Sequence, residues 1–365
     1  MAPLGLLSVA SSMPGSVDVF DLNVCSDPLR LLAEKLDSLR PDVVGISLRN
    51  ADTTNAFDPY SYLPAFLKQV RIVNERAPRA EIRAGGTGYS LFHRELNAEA
   101  RVIGAGTVGH YEGSIPVPSW DLINLEPYLP YQNNLSIGVE VSRGCDLKCS
   151  YCVYPSLSGA RKQDKPPEEI RTEVLMLKSR GVRHLFLCAP VLNHRPGRAE
   201  EVALAMAGTG VTWEAYHSPL GFTSDYASLA RRTGCTTISF SPDGGSDSDM
   251  LALGKDFTTR DVGTAVGNAS RAGLKVCIGM FPYLPWSSPM SMSRAFITGR
   301  NWGAIAGTGL SRLRFGAVRR LPGSAFGPGR PALHGAVPSG EFVLPGKPWS
   351  ALFRFFRAAF EKRLG

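Results

Sequence analysis

The 365-residue chain lacks any apolar run near the roughly 18 residues a membrane-spanning helix needs, and no basic stretch precedes its mildly apolar start, Met1-Ala2-Pro3-Leu4-Gly5-Leu6-Leu7. Neither a membrane partner nor a secretory leader is expected, and the reading is a cytoplasmic protein. Polybasic segments are also missing. The 40 Lys and Arg are dispersed among 32 Asp and Glu, with Arg231-Arg232 and Arg319-Arg320 the only adjacent arginine pairs. A net charge of +8 spread in this way describes a solvated surface, so nucleic acid is not an expected partner. The seven cysteines are an odd set, which argues against a complete disulfide framework and for a reducing compartment. What is present, 44% apolar and 20% charged residues, suits a globular chain whose length suggests two domains.

Short β-branched runs alternate with helical spacing over the first third. Val17-Asp18-Val19-Phe20 and Val43-Val44-Gly45-Ile46-Ser47 read as buried strands, and Pro28 to Leu39 between them carries leucines on one helical face. Tyr62 to Asn74 repeats the helical pattern before a third candidate strand, Ala80 to Ala84, which runs into Gly85-Gly86-Thr87-Gly88. This order predicts a doubly wound, Rossmann-like unit over residues 1–115, followed by a linker over 116–134. From residue 135 six strand candidates recur at βα spacing: Ser136 to Val141, Arg183 to Cys188, Val211 to Tyr216, Thr236 to Phe240, Leu274 to Met280 and Arg312 to Ala317. Pro166-Pro167-Glu168-Glu169 opens the first intervening helix and Gly181 closes it, while Phe222 to Arg232 and Thr258 to Ala272 supply later ones. Six units are too few for a closed eight-stranded barrel, so 135–320 is expected to form an open partial (β/α)6 barrel with its site at the strands' C-terminal ends. Residues 321–365 form an extension ending in an amphipathic helix, Leu352 to Phe360.

Three of the seven cysteines fall together in Arg143-Gly144-Cys145-Asp146-Leu147-Lys148-Cys149-Ser150-Tyr151-Cys152, directly after the first barrel strand. Closely spaced thiolates favour an iron–sulfur cluster or zinc. Structural zinc normally takes four ligands, and no fourth Cys or His is adjacent. Three thiolates suit a four-iron cluster with one iron open to a substrate, with zinc and unconnected thiols as the alternatives. Cys25, Cys188, Cys235 and Cys277 are isolated and read as small buried hydrophobes.

The Cys-x3-Cys-x2-Cys spacing, with Tyr151 before the third cysteine, resembles the signature of the radical S-adenosylmethionine (SAM) superfamily. The resemblance implies a [4Fe-4S] cluster on Cys145, Cys149 and Cys152, with SAM as cofactor and Tyr151 near its adenine. It further implies that an electron from the reduced cluster, supplied by an external donor, cleaves SAM to a 5′-deoxyadenosyl radical. Where members usually carry a Gly-Gly-Glu-like segment, this chain reads Ala189-Pro190-Val191-Leu192-Asn193, which leaves the Asn193 oxygen as a substitute contact or Asn193 as a plain loop residue. The stretches Phe240 to Ser246 and Leu253 to Phe257 are similar to a subgroup with an N-terminal cobalamin-binding domain, placing Ser239, Ser241 and Asp243 near SAM. A capping or turn role is the alternative for Asp243.

Pro3 to Ala10, Pro41 to Asn50, Gly85-Gly86-Thr87 and Pro118-Ser119-Trp120-Asp121 resemble the same subgroup. There, Gly85 and Gly86 would let backbone approach a corrin tail, and Ser47, Asn50 and Thr87 would hydrogen-bond it. With no Asp-x-His-x-x-Gly motif, no histidine is expected below cobalt. Against relatives the N-terminal domain reads as shortened, lacking an opening strand and a βα stretch near 101–113. The implied fold is α/β, a shortened cobalamin-binding-type Rossmann-like domain followed by a radical SAM partial barrel. The implied activity is a cobalamin-dependent methyltransferase acting on a small molecule or peptide, with natural-product biosynthesis as the setting the resemblance suggests. A non-methylating rearrangement, cyclisation or oxidation and a catalytically silent partner protein are the alternatives. A tRNA methylthiotransferase is disfavoured because that family carries a second cysteine trio where this chain has only Cys25. Tyr283, Trp286 and Trp213 are pocket candidates for which core packing is the better expectation.

Overall fold

In the computed structural model, which describes residues 1–52, 60–100, 114–134, 137–315, 324, 333–334 and 337–338, the apolar periodicities resolve into two cores. The smaller contains strands β1 (Val43–Ser47) and β2 (Glu81–Gly85), paired in parallel with Val43 opposite Glu81 and Ser47 opposite Gly85. Before these strands come α1 (Leu4–Ala10) and α2 (Pro28–Leu39), α3 (Leu63–Arg76) makes the crossover, and α4 (Thr87–Ala100) follows β2. Helix α2 starts where its residues dictate. Asp27 accepts from the Arg30 N–H, and Pro28, with no N–H to leave unpaired, occupies the first turn. Leu36, Phe66, Val70, Val73, Ile82 and Phe92 are among the side chains that close this core.

The larger core is built on six parallel strands in the order β10-β9-β8-β7-β6-β3. Along the chain come β3 (Gly138–Glu140), the short antiparallel pair β4 (Ser142–Arg143) and β5 (Gln163–Asp164), then β6 (His184–Cys188), β7 (Thr212–His217), β8 (Cys235–Asp243), β9 (Lys275–Met280) and β10 (Leu310–Phe315). Between them lie α5 (Tyr154–Ser158), α6 (Pro167–Ser179), α7 (Arg198–Met206), α8 (Ser224–Arg232), α9 (Asp247–Ala252), α10 (Thr259–Arg271) and α11 (Pro289–Ala306). Side chains alternate along the strands. Leu185, Leu187, Trp213, Ala215, Ile238, Phe240, Val276 and Ile278 are buried in the core that includes the helices' apolar residues, whereas Phe186, Cys188, Glu214, Tyr216, Ser239, Ser241 and Cys277 on the opposite face are half-buried. The second face is the concave side of the open barrel. Trp213, one of the pocket candidates, is core.

Two outcomes differ from the sequence reading. Val17 to Phe20 is not a strand: Val19 packs against the barrel core, and Asp21 accepts a hydrogen bond from the Tyr128 hydroxyl, so tertiary contacts with the segment leading into the barrel outweigh β propensity. Helix α1 likewise packs with the barrel, burying Ala2 and Leu7 there while the Leu7 carbonyl accepts from the Ser119 N–H at 3.2 Å. The segment after Ser119 is held firmly as well. Trp120 Nε1 donates to buried Glu173 at 2.8 Å, Lys165 pairs with the same carboxylate at 2.6 Å, and the Arg180 guanidinium donates to the Trp120 and Ile123 carbonyls. The expected terminal helix Leu352 to Phe360 and the expected strand residues Ser136, Gly316 and Ala317 lie outside the described residues.

Candidate functional site

The cysteine loop leaves β4 under tight backbone control. Gly144 sits at φ +79°, and a Cβ there would lie 2.1 Å from the Arg161 carbonyl oxygen, so only glycine lets the two segments approach. The Cys145 N–H then donates to Gly159 O at 3.1 Å, and the Cys152 N–H to Cys149 O at 3.0 Å. On the far side Gly254, at φ +75°, brings the segment after α9 within 2.3 Å, measured from a notional Cβ, of the Lys148 carbonyl oxygen. Ser150 N–H donates to Leu253 O at 3.0 Å and closes that contact.

All three cysteines are free, Cys145 being buried and Cys149 and Cys152 half-buried. Each lies within electrostatic reach of the others. Burial raises the Cys145 and Cys152 thiols, the second effect being that backbone N–H groups, from Leu147 and Tyr154 respectively, point at their sulfurs and oppose the rise. Among the described residues no three Cys, His, Asp or Glu side chains already surround a single ion-sized point. Three thiols within electrostatic reach of one another, with backbone N–H groups directed at the Cys145 and Cys152 sulfurs, are a donor set of the kind an iron–sulfur cluster takes.

Beside the loop lies a buried network. The Tyr151 hydroxyl donates to Asp243 Oδ2 at 2.5 Å, and the Lys255 ammonium meets the same oxygen at 2.6 Å. Lys255 also donates to Tyr151 Oη at 3.2 Å and to Ser241 O at 3.1 Å, and its ammonium stands 5.4 Å from the Tyr151 ring centroid. Asp243 reaches this position through a register shift in β8 and a left-handed φ of +63°, a backbone state an L-residue adopts only when its surroundings hold it there. Burial works against the Lys255 charge, but Asp243 and then Cys149 more than offset it, so its pKa is raised and it remains an ammonium. Tyr151 is raised by burial and by the adjacent Asp243 carboxylate. Phe281 stacks edge-on to Tyr151 at 5.2 Å, and Tyr283 packs in the same apolar group with Leu253 and Leu284. Trp286 is 43% exposed and donates to Asp249 at 2.9 Å.

The remaining expected residues fall in three places. Ser239 and Ser241 share the concave face, Ser239 hydrogen-bonded to the Cys277 thiol. Asn193 is engaged at both ends of its amide, Oδ1 accepting from the Ser218 N–H at 2.8 Å and Nδ2 donating to the Ser218 and Leu220 carbonyls. The oxygen expected to substitute for an acid thus already accepts one hydrogen bond from the loop after β7. Ser47, Asn50, Gly85, Gly86 and Thr87 meet at the C-terminal ends of β1 and β2, but the glycine argument changes. A Cβ on Gly86, at φ +96°, would lie 2.5 Å from Leu48 O, and one on Gly88 2.7 Å from Ala51 N, so these glycines admit the loop after β1. Thr87 Oγ1 donates to Arg49 O at 2.5 Å, while Ser47 and Asn50 remain exposed. Arg49, on that loop, lies within electrostatic reach of Cys188 at the end of β6, and α4, which follows β2, packs against α5, the helix after the cysteine loop.

Sequence reasoning placed Lys255 only within the Leu253 to Phe257 resemblance, with no role of its own, and missed the hub at Asp164. Asp164 accepts from Ser142 Oγ at 2.7 Å and Arg195 Nε at 2.9 Å, with His194 and Arg198 within 3.4 Å. Burial opposes its ionisation, yet the Ser142 and Arg195 hydrogen bonds and the Arg198 charge hold its carboxyl below the usual range. Arg198 also donates to the Val141 and Lys165 carbonyls, tying α7 to the strand from which the cysteine loop departs.

The family model for the radical SAM superfamily matches residues 139–287. The tRNA-2-methylthio-N(6)-dimethylallyladenosine synthase of Akkermansia muciniphila is 31% identical over 136 residues, 33% of this chain and 29% of that protein. The ribosomal protein uS12 methylthiotransferase RimO of Phocaeicola vulgatus is 43% identical over 56 residues, 15% of this chain and 13% of that one. These matches span less than a third of the curated relatives' length. Among solved structures, the radical SAM methyltransferase TsrM of Kitasatospora setae, with cobalamin and a [4Fe-4S] cluster bound, superposes with a TM-score of 0.75 at 18% identity, covering 90% of this chain and 74% of that one. The cobalamin-dependent SAM radical enzyme OxsB gives a TM-score of 0.63 at 13% identity over 81% of this chain and 49% of the other. At these identities the likeness is one of fold.

Proposed function

We propose that the chain, whose residues 139–287 match the radical SAM superfamily, is a radical SAM enzyme and, more finely, a cobalamin-dependent methyltransferase acting on a small molecule or peptide. The observation that supports this reading is the packing of α4 of the Rossmann-like unit against α5, the helix that follows the cysteine loop, with Arg49 within electrostatic reach of Cys188 at the end of β6. Its fold match to cobalamin-dependent enzymes covers both units, including 90% of the chain for TsrM. In this reading Cys145, Cys149 and Cys152 hold the cluster, Tyr151, Ser239, Ser241 and Asp243 border SAM, and Ser47, Asn50, Gly85, Gly86 and Thr87 border the corrin. When bound, the cluster supplies the electron that cleaves SAM and cobalamin carries the methyl group. The protein's own work is positional. The Gly144 and Gly254 contacts fix the loop, burial and the Phe281 ring keep water from Tyr151, and the Lys255 ammonium stays protonated beside Asp243.

Reconstituted protein given SAM, an external one-electron donor and hydroxocobalamin is expected to perturb the corrin spectrum and form S-adenosylhomocysteine. An unperturbed spectrum with 5′-deoxyadenosine as the sole SAM product would replace this reading with the non-methylating radical one. Formation of neither product would favour a silent partner protein. The methylthiotransferase relatives support a second reading, transfer of a methylthio group. Against it stand the remaining cysteines: Cys188 and Cys235 are single thiols raised by burial, Cys277 lies on β9, and Cys25 bonds the Asp21 carbonyl.

A further inference from the structure

Lys255 is a buried cation packed against the cysteine loop. Gly254 runs against the Lys148 carbonyl and the Cys149 Cα, and the side chain that follows it lies within electrostatic reach of Cys149. The Lys255 ammonium, with the side chain only 9% exposed, meets three acceptors, Asp243 Oδ2, Ser241 O and Tyr151 Oη. An ammonium has three protons, so these three acceptors fix its position, and its charge stands between the Asp243 carboxylate and the Cys149 sulfur. Hydrogen bonds to ligand sulfur and nearby charge are principal determinants of an iron–sulfur cluster's potential. Reduction adds one negative charge to the cluster, which a fixed cation favours and a fixed anion opposes.

We propose that Lys255 is a positioning residue that raises the reduction potential of the cluster held by Cys145, Cys149 and Cys152, with Asp243 limiting that effect. The inference rests on the cluster assignment above. The step concerned is the gain of one electron by the cluster from the external donor; no bond forms or breaks and no proton moves, since the lysine is an ammonium before and after.

The test is an EPR-monitored reductive titration of the anaerobically reconstituted full chain as wild type, Lys255→Met, Lys255→Arg and Asp243→Asn. Iron and sulfide content is read first, because wild-type protein without a cluster sinks the cluster assignment and this inference with it. With clusters present, Lys255→Met is expected to shift the reduction equilibrium about tenfold toward the oxidised form, about 59 mV for one electron. Lys255→Arg keeps the charge and stays within about threefold of wild type. Asp243→Asn, a conservative change at a left-handed position because asparagine tolerates positive φ, shifts the equilibrium in the opposite direction. Cluster-loaded Lys255→Met titrating with wild type overturns the proposal while leaving the cluster assignment intact. If Lys255→Met folds but takes up no iron, Asp243→Asn decides: an unmoved or lowered potential overturns the proposal.

Discussion

At the end of β3 and β4, glycines press backbone against backbone and leave three sulfurs near one another; at the ends of β1 and β2 the same device closes the site on itself. Gly144 and Gly254 bracket the cysteine loop from two sides, each at a positive φ and each with a carbonyl within 2.3 Å of where a Cβ would stand. Gly86 makes an equally close approach, to Leu48 O, but Thr87 then spends its hydroxyl on Arg49 O. Small residues after parallel strands are therefore ambiguous as a sequence signal. They mark a close approach, and only the structure says whether the approaching atoms belong to a ligand or to the next loop.

Substitutions at these glycines separate the two regions. Gly144→Ala puts a methyl group 2.1 Å from Arg161 O at an unfavourable φ, and neither backbone can yield cheaply. A loss of about 3 kcal/mol or more in denaturant unfolding is expected, together with loss of iron uptake. Gly86→Ala is expected to cost about 2 kcal/mol by the same kind of clash in the Rossmann-like unit. It should abolish the corrin spectral response while iron content stays at the wild-type level; coupled loss of both would show that the two sites are not independent. A third contrast comes from pH. His217, buried behind the barrel strands against Tyr226, has its pKa lowered to about 3 by burial, against about 6.5 when unfolded. The unfolded chain binds the extra proton below pH 6.5, so the stability due to neutral His217 is full above that value and is lost as pH falls toward 3. The barrel should be about 2 kcal/mol less stable at pH 5 than at pH 7 on this account, and His217→Gln should flatten the profile over that window.

Much of the barrel was legible because its signals are local. The strand periods, the prolines and acids opening α6 and the cysteine spacing each lie within one element, and the structure places all six strands at the expected sites, with the described part of the last ending at Phe315. Helix α2 was legible to the residue, since Asp27 and Pro28 specify its start and Leu39 closes its leucine face. Val17 to Phe20 misled because its local β character is overruled by contacts with Tyr128, 107 residues past Asp21. Lys255 stood inside the Leu253 to Phe257 resemblance, but its role was invisible for the same reason in reverse. It sits in a polar stretch with no period of its own, and its partner Tyr151 lies 104 residues earlier. Asn193 stood in the right loop, yet its chemistry depended on Ser218 and Leu220, which no spacing rule connects to it.

Iron and acid-labile sulfide in anaerobically reconstituted protein test the central claim most directly, with Cys149→Ala measured beside wild type. The account predicts about four iron and four sulfide per wild-type chain, with the cluster absorption lost in the variant while its fold is retained. Wild-type protein that takes up no cluster, or a Cys149→Ala variant that keeps the full complement, would contradict it.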